Sequence, residues 1–301
     1  MGEFVTLARV YPPEASSSGE PSQHLLRFAR SVLGGPGRAN LMLRRTRCKG
    51  AHLPTAVAPP VRFGHDARMP SRRDREEDEQ PRRPLPMSHR RSFVAHHTRL
   101  RPVPGLPSIR LHLAEDAVPV WQATEAATGL AGAPIPFWAF AWAGGLAMAC
   151  FLAERPDEVR GRAVLDFATG SGLVAIAAVQ AGAQSVVAAD IDPFAEAAAG
   201  LNARANGVRF EFVSRDLLLE EPPDVDVLLA ADTWYEGPFA ERVRPWLQAA
   251  ADRGIRVLVG DPGRRYLPDG WLEELAAYEV ETTTRLEDRP VVTGRVFVLR
   301  P

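Results

Sequence analysis

From residue 163 onward, short apolar runs alternate with longer apolar or amphipathic stretches. Continuous apolar runs bounded by turn formers read as buried parallel strands. Strands are predicted at Ala163 to Phe167, Ser185 to Asp190, Phe210 to Ser214, Val225 to Ala231 and Arg256 to Gly260. Helices are predicted between them from Leu173 to Ala181, Pro193 to about Asn206, and Pro238 to Ala251. Pro193 suits a first helical turn, and Gly207 suits a helix end. A helix near Trp271 to Tyr278 is expected next, then two strands in succession, Val280 to Thr284 and Arg295 to Leu299. This alternation implies an α/β fold, a Rossmann-like doubly wound sheet of seven strands. The two successive strands imply a C-terminal antiparallel hairpin.

The pattern differs ahead of this core. The run from Pro134 to Gly145 is dense in aromatics, Trp142 among them, and ends in paired glycines. It reads as core packing or as one wall over a ligand. A buried helix is predicted from Leu146 to Glu154. Ser88 to Thr128 reads as an approach segment, in which Ile109 to Leu113 alternates like an edge strand. His96 and His97 have no partner at metal-ligand spacing and read as solvated. Residues 1–86 hold 11 of the 27 prolines and show no sustained period. Such a stretch buries too little surface to offset its ordering entropy. It is expected to be a disordered or mis-assigned extension, with residues 87–301 forming the domain.

Charge sharpens that division. Residues 1–86 carry 15 basic and 9 acidic side chains, and residues 87–301 carry 21 and 28. An acidic core is a poor nucleic-acid binder. No apolar run is long enough to span a bilayer as a helix. The two cysteines, Cys48 and Cys150, suit a reducing, cytoplasmic setting better than a disulfide framework. Lys49 is the only lysine among abundant arginines, which suggests a GC-rich bacterial source.

Chemistry concentrates at Asp166-Phe167-Ala168-Thr169-Gly170-Ser171-Gly172. A strand, a glycine turn and a helix give a ligand close backbone access and free N–H groups. Asp190 follows Gly170 by 20 residues, the spacing expected of a carboxylate that binds ribose hydroxyls. Gly170 to Ala175 also formally fits a dinucleotide fingerprint. The polar turn with Asp166 argues for another adenosine cofactor, S-adenosylmethionine, whose ammonium and sulfonium favour a nearby carboxylate that a pyrophosphate would not. Asp216 follows the third core strand, where it either accepts the adenine amino group or caps a turn.

Asp166-x-x-x-Gly170-x-Gly172 resembles motif I of the seven-strand, class I S-adenosylmethionine-dependent methyltransferases. Asp190-Ile191-Asp192-Pro193 and Asp232-Thr233-Trp234-Tyr235 extend the resemblance to those that modify protein lysines. The aromatic run with Gly144-Gly145, together with Gly260-Asp261-Pro262-Gly263-Arg264, is similar to electron transfer flavoprotein β-subunit lysine methyltransferases in bacterial form. The sequence departs from that pattern at Phe167-Ala168-Thr169 with Ser171, where relatives often carry one more glycine, and at Ala143, where proline is common.

The resemblance implies a cofactor site of Trp142, Asp166, Gly170, Gly172, Asp190, Ile191 and Asp216, with no metal. It implies catalytic roles for Asp232 and Tyr235. Asp232, at a strand's carboxyl end, is expected to aim a lysine amine first and act as a base second. Its bland alternative is a helix cap ahead of Pro238. Trp234 and Tyr235 are expected to wall the lysine stem or stack on its cation. Implied partners are a protein substrate, possibly the electron transfer flavoprotein β subunit, with no nucleic acid and no membrane. Rival readings are a methyltransferase for ribosomal protein L11 or a small amine such as nicotinamide, an NAD-binding oxidoreductase, and a catalytically silent adenosine-binding domain.

Overall fold

Alternate side chains of the core strands serve two different cores, and this organises the fold. In the computed structural model, which describes residues 46–47, 85–130, 132–282 and 291–300, the strands are β1 (Thr46–Arg47), β2 (Arg99–Val103), β3 (Leu106–Leu113), β4 (Ala163–Phe167), β5 (Ser185–Ala189), β6 (Glu211–Val213), β7 (Val227–Ala231), β8 (Arg256–Asp261), β9 (Leu272–Glu281) and β10 (Val291–Leu299). The α-helices are α1 (Met87–His97), α2 (Ala117–Thr128), α3 (Ala143–Glu154), α4 (Leu173–Gln180), α5 (Pro193–Ala205) and α6 (Gly237–Asp252). The main sheet runs β1-β9-β10-β8-β7-β4-β5-β6. β10 is antiparallel to both neighbours, and the other pairings are parallel. The expected seven-strand α/β sheet and its terminal hairpin are therefore present, with two-residue β1 added beside β9.

Val164, Val227 and Leu229 join a core with α3 and α4, whereas Leu165, Leu228 and Ala230 join one with α6. Helix α6 buries Ala240, Val243, Leu247 and Ala250, a stripe at helical spacing that matches one sheet face. Helix α3 is apolar all round because it is covered on both sides: Val103, Leu106, Ile109, Leu111 and Leu113 share its core. These belong to a separate two-stranded sheet of β2 and β3. The approach segment is thus a folded layer of α1, this hairpin and α2, and Ile109 to Leu113 is not an edge of the main sheet. Backbone groups of β3 left open by the hairpin are taken by α5. Asn202 Oδ1 accepts the His112 N–H at 2.7 Å, and Asn206 Oδ1 accepts the Arg110 N–H at 2.8 Å.

One element differs in kind. Trp271 to Tyr278, expected as a helix, lies largely in β9. Its leucines, glutamates and alanines favour helix locally, but β10 offers a ladder from Val291↔Glu281 to Leu299↔Leu272. Tertiary pairing overrides propensity there. The expected N-terminal extension lies, apart from Thr46–Arg47 and residues 85–86, outside the described residues, as do residues 283–290. Among the described residues no helix is long and apolar enough to cross a membrane.

Candidate active site

β4 has β5 on one side and β7 on the other. The winding direction reverses between them, and in open α/β sheets ligands bind at that point, outside the carboxyl ends of the strands. A cleft of about 1300 Å³, counting space open to solvent, lies there. It is lined by residues that follow β4, β5, β7 and β8, including Asp166, Gly170, Asp190, Asp232 and Arg264.

The turn after β4 has an unusual backbone. Ala168, Gly170 and Gly172 have φ of +56°, +51° and +79°. This left-handed region favours glycine, and at Gly172 an added Cβ would also sit 3.0 Å from that of Ala199 on α5. Asp190 braces the turn. Its Oδ2 accepts the Gly170 N–H at 2.9 Å, and its Oδ1 accepts the Asp192 N–H at 2.9 Å. Asp192 in turn caps α5 through the Phe194 N–H. Asn202 reaches the turn from α5 as well, its Nδ2 donating to the Ser171 carbonyl at 2.8 Å. Nothing in local periodicity marks Asn202, because both its partners are remote in sequence.

Asp166 is almost fully buried under the turn. Its Oδ2 accepts the Thr169 hydroxyl at 2.5 Å and the Ala175 N–H at 2.9 Å. Burial pushes its pKa up to about 7, against those two bonds and with help from the Asp190 charge. Burial also raises Asp190, and burial followed by the Asp190 charge raises Asp192 to about 7. Asp190 and Asp192 keep some surface open to solvent, whereas Asp166 is sealed from it.

Three carboxylates crowded at one end of a cleft suit a ligand that brings positive charge. Ile191 and Leu217 add apolar lining. The residues present therefore fit S-adenosylmethionine and oppose a pyrophosphate.

Asp166 titrates at 3.8 when unfolded and about 7 when folded, so the folded chain binds more protons between those values. Stability of the free protein should fall as pH rises from about 4 to about 7, a span worth roughly 4 kcal/mol for this group alone. A cationic ligand favours the ionised carboxylate and reverses the sign. Affinity for S-adenosylmethionine should rise about tenfold from pH 5.5 to pH 7. Calorimetric titration across that range reads it, and a flat profile would reject the assignment.

The remaining expected residues divide. Asp216 lines the cleft but is engaged: it accepts the Leu218 N–H at 3.0 Å and pairs with Arg242 at 2.5 Å. The turn-cap alternative is therefore realised, beside the cleft. Trp142 and Tyr235 both line the cleft against Phe137, with ring centroids 5.8 and 4.9 Å from it. Phe239 extends this aromatic wall, 5.5 Å from Tyr235. Trp234 does not wall the cleft. It is wholly buried in the α6-side core, edge-on to Trp271 at 5.5 Å, because the turn after β7 directs successive side chains to opposite sides.

Asp232 caps a helix, though not the one ahead of Pro238. Its Oδ1 accepts the Gly144 N–H at 3.0 Å and its Oδ2 the Gly145 N–H at 2.6 Å, both in the first turn of α3. These amides have no partner within the helix. Arg264 Nη1 stands 2.5 Å from Asp232 Oδ1 and 3.1 Å from Asp261 Oδ2. Asp232 itself has φ +58°, a conformation aspartate tolerates at some cost. The sequence contains Gly260 to Arg264 as a recognisable run, but the return of Arg264 to Asp232 is visible only in the fold.

Comparison with known proteins places the chain in a family. A family model described as ribosomal protein L11 methyltransferase (PrmA) matches residues 148–231. The electron transfer flavoprotein beta subunit lysine methyltransferase of Rattus norvegicus is 34% identical over 172 residues, covering 55% of this chain and 68% of that one. Its counterpart in Xenopus laevis is 33% identical over 217 residues, covering 70% and 87%. A solved ribosomal protein L11 methylase from Lactobacillus delbrueckii subsp. bulgaricus shares 22% identity over 51% of this chain and 77% of its own, with a TM-score of 0.38. The L11 family match stops one residue before Asp232, whereas the flavoprotein-directed relatives align over most of their own length. The chain belongs to the electron transfer flavoprotein β-subunit lysine methyltransferase family, enzymes of the class I, S-adenosylmethionine-dependent methyltransferase fold.

Proposed function

We propose that residues 87–301 form the transferase unit, that its protein substrate is the electron transfer flavoprotein β subunit, and that Asp232 and Tyr235 receive the substrate lysine. The carrying observation is the Asp232 carboxylate, held at the cleft by two helix amides and a guanidinium. When bound, the cofactor supplies an electrophilic methyl on a sulfonium. The chain's residues supply position and exclusion of water. Asp190 and the Gly170–Gly172 turn support the adenosine end, with Ile191 and Asp216 beside them. Asp166 and Asp190 oppose the cofactor's positive charge. Trp142, Phe137 and Tyr235 offer apolar faces to a lysine stem and π faces to its ammonium.

With three donors already on its two oxygens, Asp232 suits holding and aiming an ammonium. The proton that the lysine must lose before attack then passes to solvent. The two cysteines support a cytoplasmic setting.

The test is labelled-methyl transfer from S-adenosylmethionine to purified flavoprotein β subunit, with ribosomal protein L11 and nicotinamide as rival acceptors. Label is expected on lysine of the flavoprotein subunit alone. Label on L11 or nicotinamide in its place would replace this reading.

A further inference from the structure

The segment 260–264 touches Asp232 repeatedly, and each contact constrains the same carboxylate. The Gly260 carbonyl accepts the Asp232 N–H at 2.8 Å. Gly260 also lies directly against Gly144, so that a methyl on either would stand 2.3 or 2.5 Å from the other's carbonyl oxygen. That contact presses the first turn of α3 onto the end of β8. Asp261, wholly buried, accepts the N–H groups of Gly263 and Arg264, both at 2.7 Å. Those bonds curl the chain after β8 back toward β7. Arg264, itself buried, then bridges Asp261 and Asp232 through Nη1. A guanidinium keeps its charge in such a place. The guanidinium thus stands between the two carboxyls, and burial raises the pKa of Asp261 against the pull of Arg264.

The two oxygens of Asp232 are not equivalent. Among the hydrogen bonds of the described residues, Oδ1 takes Gly144 N–H and Arg264, and Oδ2 takes Gly145 N–H. Each carboxylate oxygen offers about two lone pairs. The unfilled capacity is therefore on Oδ2. We propose that Arg264, anchored from behind by Asp261, is a positioning residue for methyl transfer: it locks the Asp232 carboxylate against the α3 amides so that Oδ2 faces the acceptor amine. This rests on the reading of Asp232 as the residue that receives the lysine. Arg264 acts through Asp232 and touches no reacting atom in this assignment. The Gly-Asp-Pro-Gly-Arg run is then the part of the chain that sets the angle of the Asp-x-x-Tyr carboxylate.

Two variants test it. Arg264→Lys keeps the charge, but its ammonium ends one atom short of the Nη1 position that meets both carboxylates. Asp261→Asn loosens Arg264 from behind with little change of shape. The first readout is hydrogen exchange at the Gly144 and Gly145 amides, which needs no acceptor protein. Their protection comes from Asp232, so exchange should quicken at least about tenfold in both variants. The second is methyl transfer to the flavoprotein subunit. For each variant kcat should fall at least about tenfold, with KM and S-adenosylhomocysteine affinity within about threefold of the parent. Asp232→Asn combined with Arg264→Lys should be no slower than Asp232→Asn alone, because both act on one group.

Unchanged exchange at both amides, a parental kcat, or losses that multiply in the double variant would each overturn the proposal. If Arg264→Lys does not fold, Asp261→Asn decides by the same readouts. A fully active Asp232→Asn would remove the reading of Asp232 itself. A slow Asp232→Asn beside a fully active Arg264→Lys would remove only the positioning role.

Discussion

Asp232→Asn is expected to slow methyl transfer at least about a hundredfold while S-adenosylhomocysteine still binds. The structure gives the reason for both halves. Asp166 lies near the end of β4, the glycine turn and Asp190 follow β4 and β5, and Asp232 follows β7. None of the hydrogen bonds among Asp166, Gly170, Asp190 and Asp192 involves Asp232. An asparagine keeps the shape but replaces one oxygen with an amide donor. That donor would face either a glycine N–H or the Arg264 guanidinium, all of them donors. The carboxamide must therefore turn, and the charge that attracts the lysine is gone. Alanine is a poorer probe. It strips one of two carboxylate partners from a buried guanidinium and takes the acceptor from two helix amides, which confuses folding with chemistry. The measurement is a single-turnover rate with the flavoprotein subunit, beside calorimetric titration with S-adenosylhomocysteine. Parental rates in Asp232→Asn would sink the catalytic assignment.

Gly144→Ala is expected to destabilise the fold by about 3 kcal/mol or more and to cost activity as well. An added Cβ there stands 2.3 Å from the Gly260 carbonyl oxygen, 2.7 Å from its carbon and 2.8 Å from Asp232 Oδ2. The nearest two of these atoms are backbone of a central strand and cannot swing aside. The helix must lift from the sheet and take its first-turn amides away from Asp232. Gly200→Ala is the matched control. Gly200 lies within α5, and among the described residues its added methyl meets nothing nearer than Arg91 Nη2 at 4.0 Å. There the same substitution should be neutral or stabilising, since alanine is the better helix former. Urea unfolding of both variants reads the difference. Equal midpoints for the two would show that α3 tolerates the shift.

Gly144 also illustrates why parts of the site are illegible in one dimension. A glycine pair after an aromatic run announces a turn or a close approach, but not which backbone comes close. Arg264 lies 32 residues from Asp232, and Asn202 lies 90 residues from the β3 amide it accepts. Such pairs are chosen by the fold, so no local pattern encodes them. By contrast, the 20-residue spacing of Gly170 and Asp190 is legible and reads as a carboxylate for ribose hydroxyls; the structure shows that carboxylate accepting the turn's own Gly170 N–H.

By itself, the sequence determined what depends on neighbours along the chain. Apolar runs set β4, β5, β7 and β8, and the stripe of Ala240, Val243 and Leu247 set α6. Glycines after a strand, and acids at strand ends, marked a turn suited to a cationic adenosine ligand. Only the tertiary structure decided what depends on partners. Helix-forming residues from Leu272 to Tyr278 became strand because β10 paired with them. The approach segment folded because α3, α4 and α5 needed a cover. Trp234 went to the core and Tyr235 to the cleft. Periodicity reports which face of an element is apolar. The partner that covers that face is set by packing across the whole chain, and here it also sets where the Asp232 carboxylate points.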